Sequence, residues 1–97
     1  MSISPTDWGM CSKAGDRALT KKAESLLRKL EKYNGQGDAK ILSAFNSYFK
    51  SFAKCSKTYP EARDTEVREI VWGFALDESK RFGIDYNTLD KIWYKHF

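Results

Sequence analysis

Few residues in this chain are equipped for covalent or metal chemistry. Cys11 and Cys55 are its only thiols, with 43 residues between them, and His96 is its only imidazole. A thiolate nucleophile needs an adjacent base or a positive field to lower its pKa, and nothing in sequence around either cysteine resembles such a setting. A closed zinc site takes four ligands at short paired spacings, more than two cysteines and one histidine supply. The cysteines read as two reduced thiols, or as one disulfide tying the N-terminal arm to the second helix. There is no glycine-rich phosphate loop, G-x-S-x-G elbow, H-E-x-x-H helix or D-x-D calcium loop. The acid pairs Asp64-Glu66 and Asp77-Glu78 are accounted for by helix caps and a solvated surface. No catalytic residue, metal ligand or cofactor is expected.

The chemistry that remains is charge recognition. Residues 1–60 hold eleven Lys/Arg against five Asp/Glu, a balance of +6, whereas residues 61–97 hold six against eight, a balance of −2. The cations of the first half fall in rows: Lys21, Lys22, Arg28, Lys29 and Lys32 on one segment, then Lys50, Lys54 and Lys57 at i, i+4 and i+7 on the next. Glu24 and Glu31 dilute the first row without neutralising it. Such an asymmetry points to an acidic partner. A nucleic-acid footprint would be denser and richer in arginine.

These rows require helices to carry them. Leu19, Ala23, Leu26, Leu30 and Tyr33 recur at helical spacing, widened by Leu27, and predict an amphipathic helix from about Asp16 to Tyr33. Asn34-Gly35-Gln36-Gly37 breaks it and Asp38 caps a second helix, about Ala39 to Lys57. That helix gathers Ile41, Leu42, Phe45, Tyr48, Phe49, Phe52 and Ala53 on one wide face, and Pro60 stops it by forcing Tyr59 away from helical angles. The third, residues 64–82, is capped by Asp64 and closed by Lys80-Arg81-Phe82-Gly83-Ile84. Its block Ile70-Val71-Trp72-Gly73-Phe74-Ala75-Leu76 holds more apolar residues than one face can present, so other helices or a partner must wrap it. In the last segment Leu89, Ile92, Trp93 and His96 share a face, which predicts a short helix from Leu89 to Phe97, with His96 packed at its end.

The expected fold is all-α: one domain over residues 1–97, about four helices around a central long helix, with a short C-terminal helix. Residues 1–12 form a loosely ordered arm in which Ser4-Pro5-Thr6-Asp7 could open one helical turn, and Trp8 is expected to fold back onto the core because of the area it can bury. No apolar run approaches the roughly 18 to 20 residues of a membrane span, and the N-terminus lacks the basic then apolar order of a signal peptide. A soluble cytoplasmic protein is therefore expected.

One local pattern is more specific. Phe82-Gly83-Ile84, followed by Leu89 and Ile92, resembles the helix-turn-helix spacing over about 20 residues, in which the glycine turns the chain and the aliphatics join the two helices. In that reading Tyr86, Asn87, Lys91, Tyr94 and Lys95 would face DNA. Two departures count against it: Glu78 stands where the first helix places an aliphatic, and Asp85 and Asp90 would face phosphate.

The function expected by elimination is that of a small non-enzymatic binding protein, an inhibitor or adaptor acting by stoichiometric contact, as many small phage and mobile-element proteins do. Lys22, Arg28, Lys29, Lys32, Lys50, Lys54, Lys57 and Trp72 are its expected partner-binding residues, and an acidic protein surface its expected partner. The alternative is a DNA-binding regulator that uses the C-terminal hairpin.

Overall fold

The helix boundaries follow from local polar groups and turns, and they are clearest at the two ends that periodicity alone places too late. In the computed structural model, which describes Pro5, residues 7–10 and residues 12–96, α1 spans Lys13–Tyr33, α2 Asp38–Thr58, α3 Thr65–Arg81 and α4 Tyr86–Tyr94. A single 3-10 turn, Pro60–Arg63, joins α2 to α3, and no strand occurs among the described residues. The architecture is all-α, a small bundle of four helices.

Helix α1 starts at Lys13, three residues before the expected Asp16, because Ser12 is its N-cap, the hydroxyl accepting the Gly15 N–H at 3.1 Å. Helix α4 likewise starts at Tyr86, not Leu89, because the Asp85 carboxylate accepts the Thr88 N–H at 2.7 Å. Asp38 is the first residue of α2 rather than its cap. Gly37 holds the cap position without a side-chain bond, and the Asp38 carboxylate sits in the first turn, where the helix dipole favours it. The stop of α3 is a Schellman motif: the Ile84 N–H reaches Ser79 O at 3.0 Å and the Gly83 N–H reaches Lys80 O at 3.3 Å, with Gly83 at φ +71°.

Helix α2 contributes the aromatic centre. Phe45, Phe49 and Phe52 are fully buried, and the Phe49 ring meets Trp93 edge-on at 5.0 Å, Tyr48 at 5.8 Å and Trp72 at 6.2 Å. Helix α3 sets Val67, Val71, Phe74 and Ala75 into the same core, while Ile70, Trp72 and Leu76 are half-buried against it. The apolar block of α3 is thus wrapped within the chain on more than one side. Trp72 lies among the rings of Phe49, Trp93 and Tyr86, and Phe74 lies between Tyr48 and Trp8, both edge-on at 6.0 Å.

Trp8 does fold back. Its side chain is fully buried, with Nε1–H donating to Thr20 Oγ1 at 3.0 Å, and its backbone N–H and that of Met10 both reach the Asp16 carboxylate, at 3.0 and 3.4 Å. Asp16 therefore anchors the incoming chain to the first turn of α1. The helical turn expected at Ser4 and Thr6, and the pairing of Cys11, lie outside the described residues.

Glu78, which breaks the helix-turn-helix pattern in sequence, is almost fully buried near the end of α3 and is held by Arg81 Nη1 at 3.1 Å. A buried carboxylate requires such a partner, because desolvation penalises an uncompensated charge by several kcal/mol.

Candidate partner-binding surface

The cations expected to form one face are distributed over several surfaces once the helices pack. Where α1 lies along α2, Lys21, Lys22, Ser25 and Lys29 from one helix and Ser47 and Ser51 from the other line a groove of about 390 Å³. Ala18, Leu26, Ala44 and Tyr48 complete it. The wall is cationic and hydroxylic, and no carboxylate lines it. Local periodicity explains the arrangement: each helix turns its apolar stripe to the core, and the residues flanking that stripe meet across the crossing. Lys50 and Lys54, both exposed, stand three and seven residues beyond Ser47 and extend the positive surface along α2.

The other expected partner-binding residues lie elsewhere. Arg28 joins Glu31, Glu78 and Arg81 in a cleft between the ends of α1 and α3, where the charges balance. Lys32 sits 5.8 Å from the Tyr33 ring centre and Lys40 5.6 Å from it, so two cations lie against one aromatic ring. Lys57 lines a separate cleft with Arg63, Arg68 and His96. Trp72 lines a shallow cleft of about 230 Å³ between α3 and α4 with Arg68, Glu69, Asp90, Trp93 and Tyr94.

The residues of the DNA reading are all on the outside. Tyr86, Asn87, Lys91, Tyr94 and Lys95 are exposed, Tyr86 and Tyr94 by 55 and 67 %. Asp85, at the head of that surface, keeps its carboxyl below the usual carboxylate range because it accepts the Thr88 N–H, with a smaller pull from Lys91. It stays anionic, which counts against phosphate at that end of α4.

The chemically reactive candidates have quiet surroundings. Cys55 is a buried free thiol whose pKa is pushed up mainly by burial, with Lys22 drawing it down and Glu61 pushing it further up. His96 is packed at the end of α4, as its position implies, with Nε2 2.8 Å from Asn46 Oδ1. Among the described residues no group of three or more His, Cys, Asp or Glu could hold a metal ion, and no helix is long and apolar enough to cross a membrane.

Sequence reasoning missed the part played by Ser25, Ser47 and Ser51, and also Arg63 and Arg68. The serines carry a weak signal, since each stands three or four residues from a lysine on its own helix, but only the crossing of α1 over α2 brings the two sets together. No protein-family model, curated protein or solved structure matches the chain.

Proposed function

We propose that the protein is a small, non-enzymatic binding module that engages an acidic protein partner along the groove between α1 and α2. The supporting observation is the composition of that groove: Lys21, Lys22 and Lys29 beside three serine hydroxyls, with no carboxylate in the lining and with Lys50 and Lys54 continuing the field. A positive surface of this kind attracts a negatively charged patch and accelerates encounter. The hydroxyls can donate to carboxylates once the two are in contact. An inhibitor or adaptor, acting by occupancy, is the role that fits.

The exposed face of α4 supports the second reading, a DNA-binding regulator, less well. Asp85 and Asp90 offset Lys91 and Lys95 there, whereas the groove carries no such opposition. A photocrosslinking residue placed at Ser47 in one variant and at Asn87 in another, in the native cell and with nuclease treatment, separates the two. The protein reading expects a nuclease-resistant adduct with one acidic protein from Ser47 and none from Asn87. Adducts confined to Asn87 and abolished by nuclease would reverse the assignment.

A further inference from the structure

The hydroxyls of the α1/α2 groove are unspent. Elsewhere in the bundle such groups are used inside the chain: Thr20 donates to Asp16 O at 2.9 Å, Ser56 to Ala53 O at 2.6 Å and Ser79 to Leu76 O at 2.7 Å. Ser25, Ser47 and Ser51, which line the groove, have no hydrogen-bond partner among the described residues. Tyr48 is the more telling case. It is only 4 % exposed, with its ring against Phe49 and Phe74, and its hydroxyl is likewise without a partner among those residues. An unpaired polar atom sealed in a core is costly, and among the described residues no fully buried side-chain N or O lacks a partner. The Tyr48 hydroxyl therefore opens outward, where the residue lines the groove.

These donors recur once per helical turn. Lys22, Ser25 and Lys29 stand at i, i+3 and i+7 on α1, and Ser47 and Ser51 at i and i+4 on α2, beside Tyr48. Seven helical residues span roughly 10.5 Å. A helix bearing acids at i, i+4 and i+7 repeats that period, whereas three residues on one face of a strand span about 13 Å. The mismatch is close to the length of a hydrogen bond. Lysine stems can bridge such a gap, but serine and tyrosine hydroxyls on packed helices cannot.

We infer that the occupant of the groove is an acidic helix of the partner, lying along α1 and α2 with Asp or Glu at i, i+4 and i+7, one carboxylate accepting from Tyr48 Oη. This rests on the reading of the groove as the site of an acidic protein, and adds the partner's secondary structure and register. Lys21, Lys22 and Lys29 supply the complementary charge. The buried Leu26 and Ala44 give the helix a small apolar floor.

The test uses the full chain and two stapled, alanine-based helical peptides of identical composition, followed by amide NMR shifts at low salt. One peptide carries Glu at i, i+4 and i+7 on a single face, and the other spreads the same Glu around the helix. The first should bind at least tenfold more tightly, with shifts concentrated at Ser25, Ser47, Tyr48 and Ser51. Tyr48→Phe removes only an oxygen without a partner in the chain, so it should leave melting at neutral pH unchanged and weaken the first peptide about tenfold. Ser47→Ala with Ser51→Ala keeps both residues helical, should weaken it by a similar factor, and serves as the second readout. Equal affinity of the two peptides would overturn the helix and its register while leaving the acidic-protein reading intact. Shifts confined to α4, indifference to both variants, or no binding of either peptide at millimolar concentration would also overturn it, and the acidic-protein reading is then decided separately by the Ser47 crosslink.

Discussion

The same substitution, glycine to alanine, should have opposite effects in the middle of α3 and just past its end. Gly83 closes the helix at φ +71°, and a Cβ built there meets nothing within 4 Å, so the cost of Gly83→Ala is conformational alone. Holding an L-residue in the left-handed region costs about 1 to 2 kcal/mol. Gly73 lies in the middle of the same helix with ordinary helical angles, and its Cβ also meets nothing within 4 Å. There alanine restricts the unfolded chain and adds about 0.5 to 1 kcal/mol of stability. In a domain of this size each kcal/mol moves Tm by roughly 4 to 8 °C, so thermal melts followed by circular dichroism should separate the two variants by about 6 to 24 °C. A neutral or stabilising Gly83→Ala would show that the Schellman stop does not govern the end of α3, and a destabilising Gly73→Ala would show that the outer face of α3 is not open.

Other expectations follow from the core and from two titrating groups. Phe49→Ala removes a fully buried ring that touches Tyr48, Trp72 and Trp93, and should cost about 3 to 5 kcal/mol in denaturant melts; a loss below about 1 kcal/mol would remove Phe49 from the centre of the fold. The Asp85 carboxyl is held below its usual range in the folded state, so its stabilisation is present above ~pH 4 and fades as the pH falls through the lowered value. Asp85→Ala should therefore lower Tm at neutral pH and have little effect near ~pH 2, and an equal deficit at both would show that the cap does not depend on ionisation. Burial raises the Tyr48 phenol, so its contribution is intact below ~pH 10 and lost as the pH rises beyond it; Tyr48→Phe should flatten the alkaline fall in urea midpoint, and an unchanged fall would refute the assignment.

Much of the fold is legible along the chain because helices are local objects. The 4,3,4,3 spacing from Leu19 to Tyr33 and the Gly83-Ile84 stop each need only a few consecutive residues, and both appear where the periodicity puts them. The starts of α1 and α4 were less legible. Ser12 and Asp85 each stand three or more residues ahead of the first apolar member of the stripe, so periodicity gives no hint of them and only the capping bond does. Asp85 shows the cost of reading a charge without its backbone: in sequence it looks like a residue facing a groove, and in the structure its oxygen serves the Thr88 N–H.

The candidate sites were legible only in part, because a site is a juxtaposition and a row is not. Lys22 and Lys29 could be placed on one face of α1 from spacing, but their companions Ser47 and Ser51 belong to another helix, and the crossing decides which of its faces meets them. Lys57 looked like the end of the Lys50-Lys54 row, yet the 3-10 turn that begins at Pro60 sets it in one cleft with Arg63 and Arg68. Glu78 reads as a surface acid beside Asp77, although the turn of the helix buries one and exposes the other.

The central claim is that the α1/α2 groove docks an acidic protein, and the association rate of the purified partner, recovered through the Ser47 crosslink, tests it most directly. Lys21, Lys50 and Lys54 are exposed and contribute little to folding, so reversing all three to Glu should leave the melting curve nearly unchanged. The triple reversal should slow association by about tenfold at low salt, and the difference should shrink as salt screens the field. Association that is equally fast with and without the reversal, at every salt concentration, would contradict it and shift attention to the aromatic cleft of Trp72, Trp93 and Tyr94.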